Sequence, residues 1–420
     1  MTKSRMKKIV IIALIVALLA PFAYRRARKI VFAAYAANMP RETLFPASEQ
    51  PDQIRLTWSC DPASTKTIQW RTALDVDGHA AQFHKKGDGN MKTAPASVIT
   101  ISDSRLVNDP EALRAVVTLE DLEPSTTYAY RVGSETGGAW SEWLSFNTAP
   151  QTAEPFSFLY FGDVQTGFTI WTSLLDAANE ISPEAAFCLV AGDLVNRGNW
   201  RNEWDEFFDA GSDFLKTRPI VPAIGNHECP HGQDPWLYLD TFKLPQNGPE
   251  GIEHGRAYSF RYSNALFIIL DSNLTPASQR TWLEHKLSTS NDTWKFVMYH
   301  HPAYSARTRR DNPQVRAQWC DLFDKYGVDI AFQGHDHAYK RTKPMRANEI
   351  AESTDNGVIY IVSVAGDKMY EPGEFDYAPM TLADTPTWQV IDIETGEADR
   401  LNYRAYDLEG NLVDEFTIEK

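Results

Sequence analysis

The stretch VDIAFQGHDHAYKRT, Val328 to Thr342, carries a short apolar run into a glycine and then sets His335 and His337 on either side of Asp336. Such a run, bounded by turn residues, reads as a buried strand. Four other segments have the same form: FSFLYFGDVQ (156–165), AAFCLVAGDLVN (185–196), RPIVPAIGNHE (218–228) and KFVMYHHP (295–302). Each ends in residues that bind metal or bear charge, and strands fix the loops that follow them. Helical patterns lie between these segments, at 169–180, 200–217, 279–288 and 313–326. Strands alternating with helices predict an α/β domain.

Taken singly, each segment is weak, since GD and GN turns are common. Five of them in series, each closing a strand, point to one site. The ligand set is Asp163, Asp193, Asn226, His300, His335 and His337. Carboxylates and an amide oxygen are hard donors, whereas imidazole suits Zn, Fe and Mn. Six such donors exceed one tetrahedral shell and suit two adjacent cations.

Working outward, the chain has 420 residues, 43% hydrophobic and 12% aromatic, which predicts two packed domains and argues against disorder. Its formal charge is -15, although residues 1–30 hold eight Lys or Arg and no acid. So acidic a body argues against nucleic acid as a partner. The apolar run 9–24, within basic flanks, makes residues 1–40 a signal or membrane-anchor segment and predicts export to the periplasm or cell exterior. The four cysteines show neither a zinc pattern nor a dense disulfide framework.

Residues 50–149 alternate in short segments such as QIRLTWSC and KTIQWRTA between Gly, Asp, Pro and Ser clusters, the pattern of a β-sandwich. LEPSTTYAYRVG, Leu122 to Gly133, resembles the tyrosine-corner region of a fibronectin type III domain, with Trp70 as a central core aromatic. APQTAEP (149–155) reads as a linker, and 155–420 as the second domain.

On its five blocks the chain resembles a calcineurin-like metallophosphoesterase, and the preceding sandwich makes it most similar to the purple acid phosphatase branch. The resemblance implies an α/β fold of two sheets flanked by helices and a phosphate-ester hydrolase with a dinuclear centre of two divalent ions (Fe, Mn or Zn). In that family Asp193 bridges the ions; Asp163 and His337 complete the first site, and Asn226, His300 and His335 the second. His227 matches a histidine that contacts substrate phosphate and protonates the leaving group; the competing reading is a group that orients a ligand. His301 is a second candidate acid.

The sequence also departs from the pattern. Asn196 stands where purple enzymes carry an iron-binding tyrosine, and Gln165 where another branch carries a histidine. Both are candidate oxygen donors or partners of the ligands, and a centre without the tyrosinate is expected to prefer divalent ions. GDLVNRG resembles the GDxVDRG of protein phosphatases, making Arg197 a candidate phosphate clamp, with a surface charge as the alternative. Arg309 and Arg310 replace two histidines of plant-type enzymes and become candidate contacts to an anionic substrate. Tyr304 either flanks that substrate or packs. The rival class is an exported, non-catalytic binding protein with a residual metal site.

Overall fold

The computed structural model of the protein describes residues 39–420; the signal or anchor segment, including the apolar run 9–24, lies outside the described residues. Among the described residues no helix is long and apolar enough to cross a membrane.

Eight strands come first: β1 (Asp52–Thr57), β2 (Lys66–Thr72), β3 (His79–Lys85), β4 (Lys92–Pro95), β5 (Ser97–Ser102), β6 (Glu111–Leu119), β7 (Thr127–Ser134) and β8 (Leu144–Asn147). They form two antiparallel sheets, β1-β2-β6-β5 and β4-β3-β7-β8. Inward-facing residues of both, among them Ile68, Trp70, Val117, Tyr130 and Phe146, close one core. Trp70 is fully buried, and the Tyr128 hydroxyl accepts the Glu123 N–H at 2.9 Å, the bond that fixes a tyrosine corner.

The remaining strands are β9 (Phe156–Phe161), β10 (Cys188–Val190), β11 (Ile220–Pro222), β12 (Tyr258–Tyr262), β13 (Ala265–Ile269), β14 (Trp294–Met298), β15 (Ile330–Gln333), β16 (Tyr339–Arg341), β17 (Met345–Arg346), β18 (Glu349–Ile350), β19 (Ile359–Val362), β20 (Met380–Leu382), β21 (Trp388–Glu394), β22 (Arg400–Tyr406) and β23 (Leu412–Glu419). Thirteen of them build a six-stranded sheet, β11-β10-β9-β21-β22-β23, and a seven-stranded one, β12-β13-β14-β15-β19-β16-β20, while β17 and β18 pair with each other. β9, β10 and β11 run parallel, as do β13, β14, β15 and β19. Parallel strands are buried on both faces, which explains why they read as unbroken apolar runs. The sheets meet through aromatic rings: Phe158 of β9 lies 5.1 Å from Phe267, 5.3 Å from Phe296 and 6.0 Å from Phe332, on the three facing strands.

Helices Phe168–Ile181, Arg201–Ala210 and Ala277–Ser288 fall where the sequence predicts them. The expected helix 200–217 is divided at Gly211, and 313–326 is a short turn, a π-helical segment (Arg316–Cys320) and an α-helix (Asp321–Tyr326). Both breaks lie away from the parallel strand ends, which alone place the site.

Candidate metal centre

The donors leave β9, β10, β11, β14 and β15 two to four residues beyond the last strand residue, all at the C-terminal ends of parallel strands. There the two sheets are stitched together: Asp163 forms a parallel bridge with Val364, and its carbonyl accepts the Ala365 N–H at 2.8 Å. The backbones approach so closely that a Cβ on Gly334 would lie 2.2 Å from Asp163 Oδ1, and one on Gly225 2.1 Å from Asp193 Oδ1. Glycine is therefore demanded at both positions. Four ligand-bearing or adjacent residues, Gln165, Asp193, His335 and His337, hold positive φ between 49° and 72°. Each such conformation costs about 1–2 kcal/mol for an L-residue, an expense that marks functional loops.

The ligand atoms of Asp163, Asp193 and His300 lie within 4.8 Å of one another, and all three side chains are buried. Around His300 Nε2 stand His335 Nδ1 at 3.1 Å, Asn226 Oδ1 at 3.2 Å and Asp193 Oδ2 at 3.3 Å. A single ring proton cannot satisfy three acceptors. On the other side, His337 Nε2 is 3.2 Å from Asp163 Oδ2, and that oxygen is buried without a hydrogen bond. An unpaired buried carboxylate oxygen and a crowd of lone pairs are what a cation would relieve, so the donor set fits metal ions.

Partners behind the ligands fix their orientation. His300 Nδ1 bonds the Ala191 carbonyl at 2.9 Å, and His337 Nδ1 the Lys368 carbonyl at 2.7 Å, turning each Nε2 inward. Asp163 Oδ1 accepts the His335 N–H and Asp193 Oδ1 the His227 N–H, both at 2.7 Å. Beneath them Glu228, which sequence reasoning passed over within GNHE, accepts the N–H groups of Asp193, Leu194, Val195 and Gly225. Burial and then the Asp193 charge push its carboxyl up to about 8, against those four bonds.

The ion-free electrostatics are those of a charged pocket held by one imidazole. Burial opposes ionisation of Asp193, but His300 and His227 outweigh it and hold its carboxyl well below the usual range. Asp163 goes the other way, raised by burial and by Asp193 against the pull of His300. Burial lowers His300, yet the two aspartates dominate and raise it to about 10. Burial lowers His337 to about 4 and His301 to about 3, and drives His335 down as well.

The other candidates divide. His227 Nδ1 bonds the Asn196 carbonyl at 2.6 Å, leaving Nε2 3.9 Å from Asp193 Oδ2 at the pocket. The His301 ring lies 4.4 Å from that of His335, tilted by 52°, and is held by Ser272, whose hydroxyl is 2.8 Å from its Nδ1. Gln165 donates from Nε2 to Asp193 Oδ2 at 3.1 Å while Lys368 Nζ donates to its Oε1 at 3.1 Å, so its oxygen faces the lysine. It is a hydrogen-bond partner of the Asp193 carboxylate, and its own oxygen is taken by the lysine. Asn196 contributes its carbonyl, which bonds His227 Nδ1. Arg310 donates to the His335 carbonyl at 2.8 Å and to Asp336 Oδ1 at 3.2 Å, and Arg309 is exposed.

For two residues with two open readings, the contacts favour the second. Arg197 turns to Glu203, 2.7 Å away, and lies over Trp200, so it does not clamp the pocket in this structure. Glu203, in the first turn of the helix that follows, holds it because the acid is close and largely buried. Tyr304 is buried against Tyr360 and Tyr377, with its hydroxyl on Asn348 at 3.1 Å; it packs and does not flank the site.

Comparison with known proteins agrees with this geometry. Residues 51–148 match the family described as purple acid phosphatase, N-terminal domain, and residues 156–339 match the calcineurin-like phosphoesterases. An uncharacterized protein of Mycobacterium tuberculosis is 25% identical over 335 residues, 70% of this chain and 62% of its own length, so the chain spans less than two thirds of that relative. The Fe(3+)-Zn(2+) purple acid phosphatase 12 of Arabidopsis thaliana is 26% identical over 77% of this chain and 71% of its own. Among solved structures, a purple acid phosphatase from yellow lupin (Lupinus luteus) seeds superposes with a TM-score of 0.76 at 20% identity, covering 89% of this chain and 75% of that one. The chain thus carries a domain matched to the purple acid phosphatase N-terminal family, followed by one matched to the calcineurin-like phosphoesterases.

Proposed function

We propose that the protein is a metal-dependent hydrolase of small phosphate esters, working outside the cytoplasm with two divalent ions (Fe, Mn or Zn). The observation that carries this reading is the gathering of six donors from five strand ends, with Asn226, His335 and Asp193 around His300 and with His337 beside Asp163, whose Oδ2 has no hydrogen bond. Asp163 and His337 would hold the first ion, Asn226, His300 and His335 the second, and Asp193 both. When bound, the ions supply Lewis acidity toward phosphoryl oxygens and lower the pKa of a water molecule.

The chain's own residues do the rest. His227, anchored through Nδ1 on the Asn196 carbonyl, keeps Nε2 free to hold a proton beside the pocket and deliver it to the departing oxygen. Gln165 and Lys368 orient the Asp193 carboxylate from one side, and the Glu228 cluster of N–H bonds fixes its backbone from below. His301 is placed against His335 and kept there by Ser272, where it shields the second site from bulk water.

The test is turnover of a chromogenic phosphomonoester and of a diester by protein reconstituted with Mn, Fe or Zn. Hydrolysis that falls at least ~10³-fold on Asp193→Ala supports the reading, since the residue would touch both ions. Absence of turnover with every metal would favour the binding-protein alternative.

A further inference from the structure

Two loops meet beside His337. The Tyr370 ring centroid lies 5.0 Å from that of His337, and the Tyr370 N–H donates to the His337 carbonyl at 2.9 Å. Three cations surround the tyrosine ring: Arg307 at 4.3 Å, Arg310 at 5.5 Å and Lys368 at 5.6 Å. Arg310 is neutralised by Asp336. Lys368 rests on the uncharged Gln165 oxygen, and Arg307 has only the face of the ring. In a chain of net charge -15, acids are plentiful, yet among the described residues neither cation has one as an ion-pair partner. Gathering like charges around one ring is unfavourable unless an anion joins them.

The corner is also built to hold still. Asp336 Oδ2 accepts the Ser305 hydroxyl and the Ala306 N–H, each at 2.6 Å, and buried Lys340 donates to the Tyr304 and Ser305 carbonyls. The Gly373 N–H reaches across to the Ala306 carbonyl at 2.7 Å. Arg307 is therefore carried by an anchored loop, one aromatic ring away from a metal ligand. Lys368 faces inward, since its partner Gln165 touches Asp193.

We infer that Arg307, Lys368 and Tyr370 form a leaving-group subsite, which selects phosphate esters whose departing portion carries a second anionic group, a carboxylate or another phosphate. The guanidinium, seated on the Tyr370 ring, offers paired N–H donors to such a group. This rests on the phosphoesterase reading for its substrate class, but the subsite can be tested without turnover.

The experiment compares phenylphosphonate with 4-carboxyphenylphosphonate, binding to the manganese-loaded full chain, by calorimetry. The carboxylate is expected to raise affinity about 10-fold, the scale of one charge-assisted contact. Arg307→Ala should abolish that preference while leaving phenylphosphonate within about twofold, and Arg307→Lys should restore part of it. Arg307→Ala removes a side chain without ion-pair or buried hydrogen-bond partners, and an unchanged melting temperature checks its fold. Equal affinity of the two phosphonates for the wild type, no binding of either, or an equal loss for both in Arg307→Ala would overturn the inference. Phenyl phosphate turnover is measured alongside: a chain that shows the preference yet hydrolyses nothing refutes the hydrolase and keeps the subsite.

Discussion

Asn196 offers the centre no phenolate, and this one residue sets a spectroscopic expectation. Iron-loaded protein should lack a strong visible charge-transfer band, and Asn196→Tyr should introduce one with ferric iron; a band in the wild type that survives Asn196→Ala would assign the ferric ligand elsewhere. His227 carries the second expectation at this scale. With Nε2 free and Nδ1 tied to the Asn196 carbonyl, His227→Ala should slow esters of poor leaving groups by about 10²–10³-fold. Nitrophenyl esters, which need no protonation on departure, should lose far less. Steady-state kcat over a series of leaving-group pKa values reads this as a steeper slope in the variant, whereas a purely structural role would slow all esters alike. The six candidate donors, which the structure brings together, were legible in the sequence because each follows an apolar run. Glu228 and Lys368 were not, since a buried acid serving backbone N–H groups and a lysine on a distant loop leave no spacing signal.

At the scale of elements, the site is a product of where parallel strands end. Five short apolar runs were sufficient to place the strands, because strands buried on both faces must be apolar throughout. The three C-terminal strands β21, β22 and β23 complete the first sheet, yet their mixed polar alternation carries no ligand and gave sequence reasoning no hold. Equally illegible was the closeness of the loops. Gly334 touches Asp163 only through folding, since 171 positions separate them, yet a methyl group there would stand 2.2 Å from the carboxylate. Gly334→Ala should therefore displace Asp163, weaken the first metal site by at least about 10-fold and lower stability by about 1–3 kcal/mol. Metal titration with denaturant unfolding checks both effects; full affinity in the variant would mean that the loops part without cost.

For the whole molecule, the sandwich is fastened to the site domain by Trp58, whose ring lies 5.4 Å from Phe187 and from Phe260, and by buried Arg71 on Asp205 at 2.7 Å. The composition of each domain is plain in the sequence, but this fastening depends on residues far apart in the chain. Within it, Lys66 is buried between Trp58 and Phe146 with no hydrogen bond, and burial lowers its pKa to about 7 from 10.5. The unfolded chain then binds more protons than the folded one between pH 7 and 10.5, so stability should rise with pH over that window. Below pH 7 the full penalty of charging Lys66 applies. Lys66→Met should remove this rise and stabilise the protein at pH 7 by about 1–3 kcal/mol, seen as urea midpoints that no longer increase toward pH 9. Everything functional nonetheless rests on the centre where the two sheets meet. The most direct test is anomalous diffraction from crystals of manganese-loaded protein. Two peaks flanking Asp193, one beside Asp163 and His337 and the other beside Asn226, His300 and His335, are predicted; a single peak, or none at these residues, would contradict the dinuclear centre.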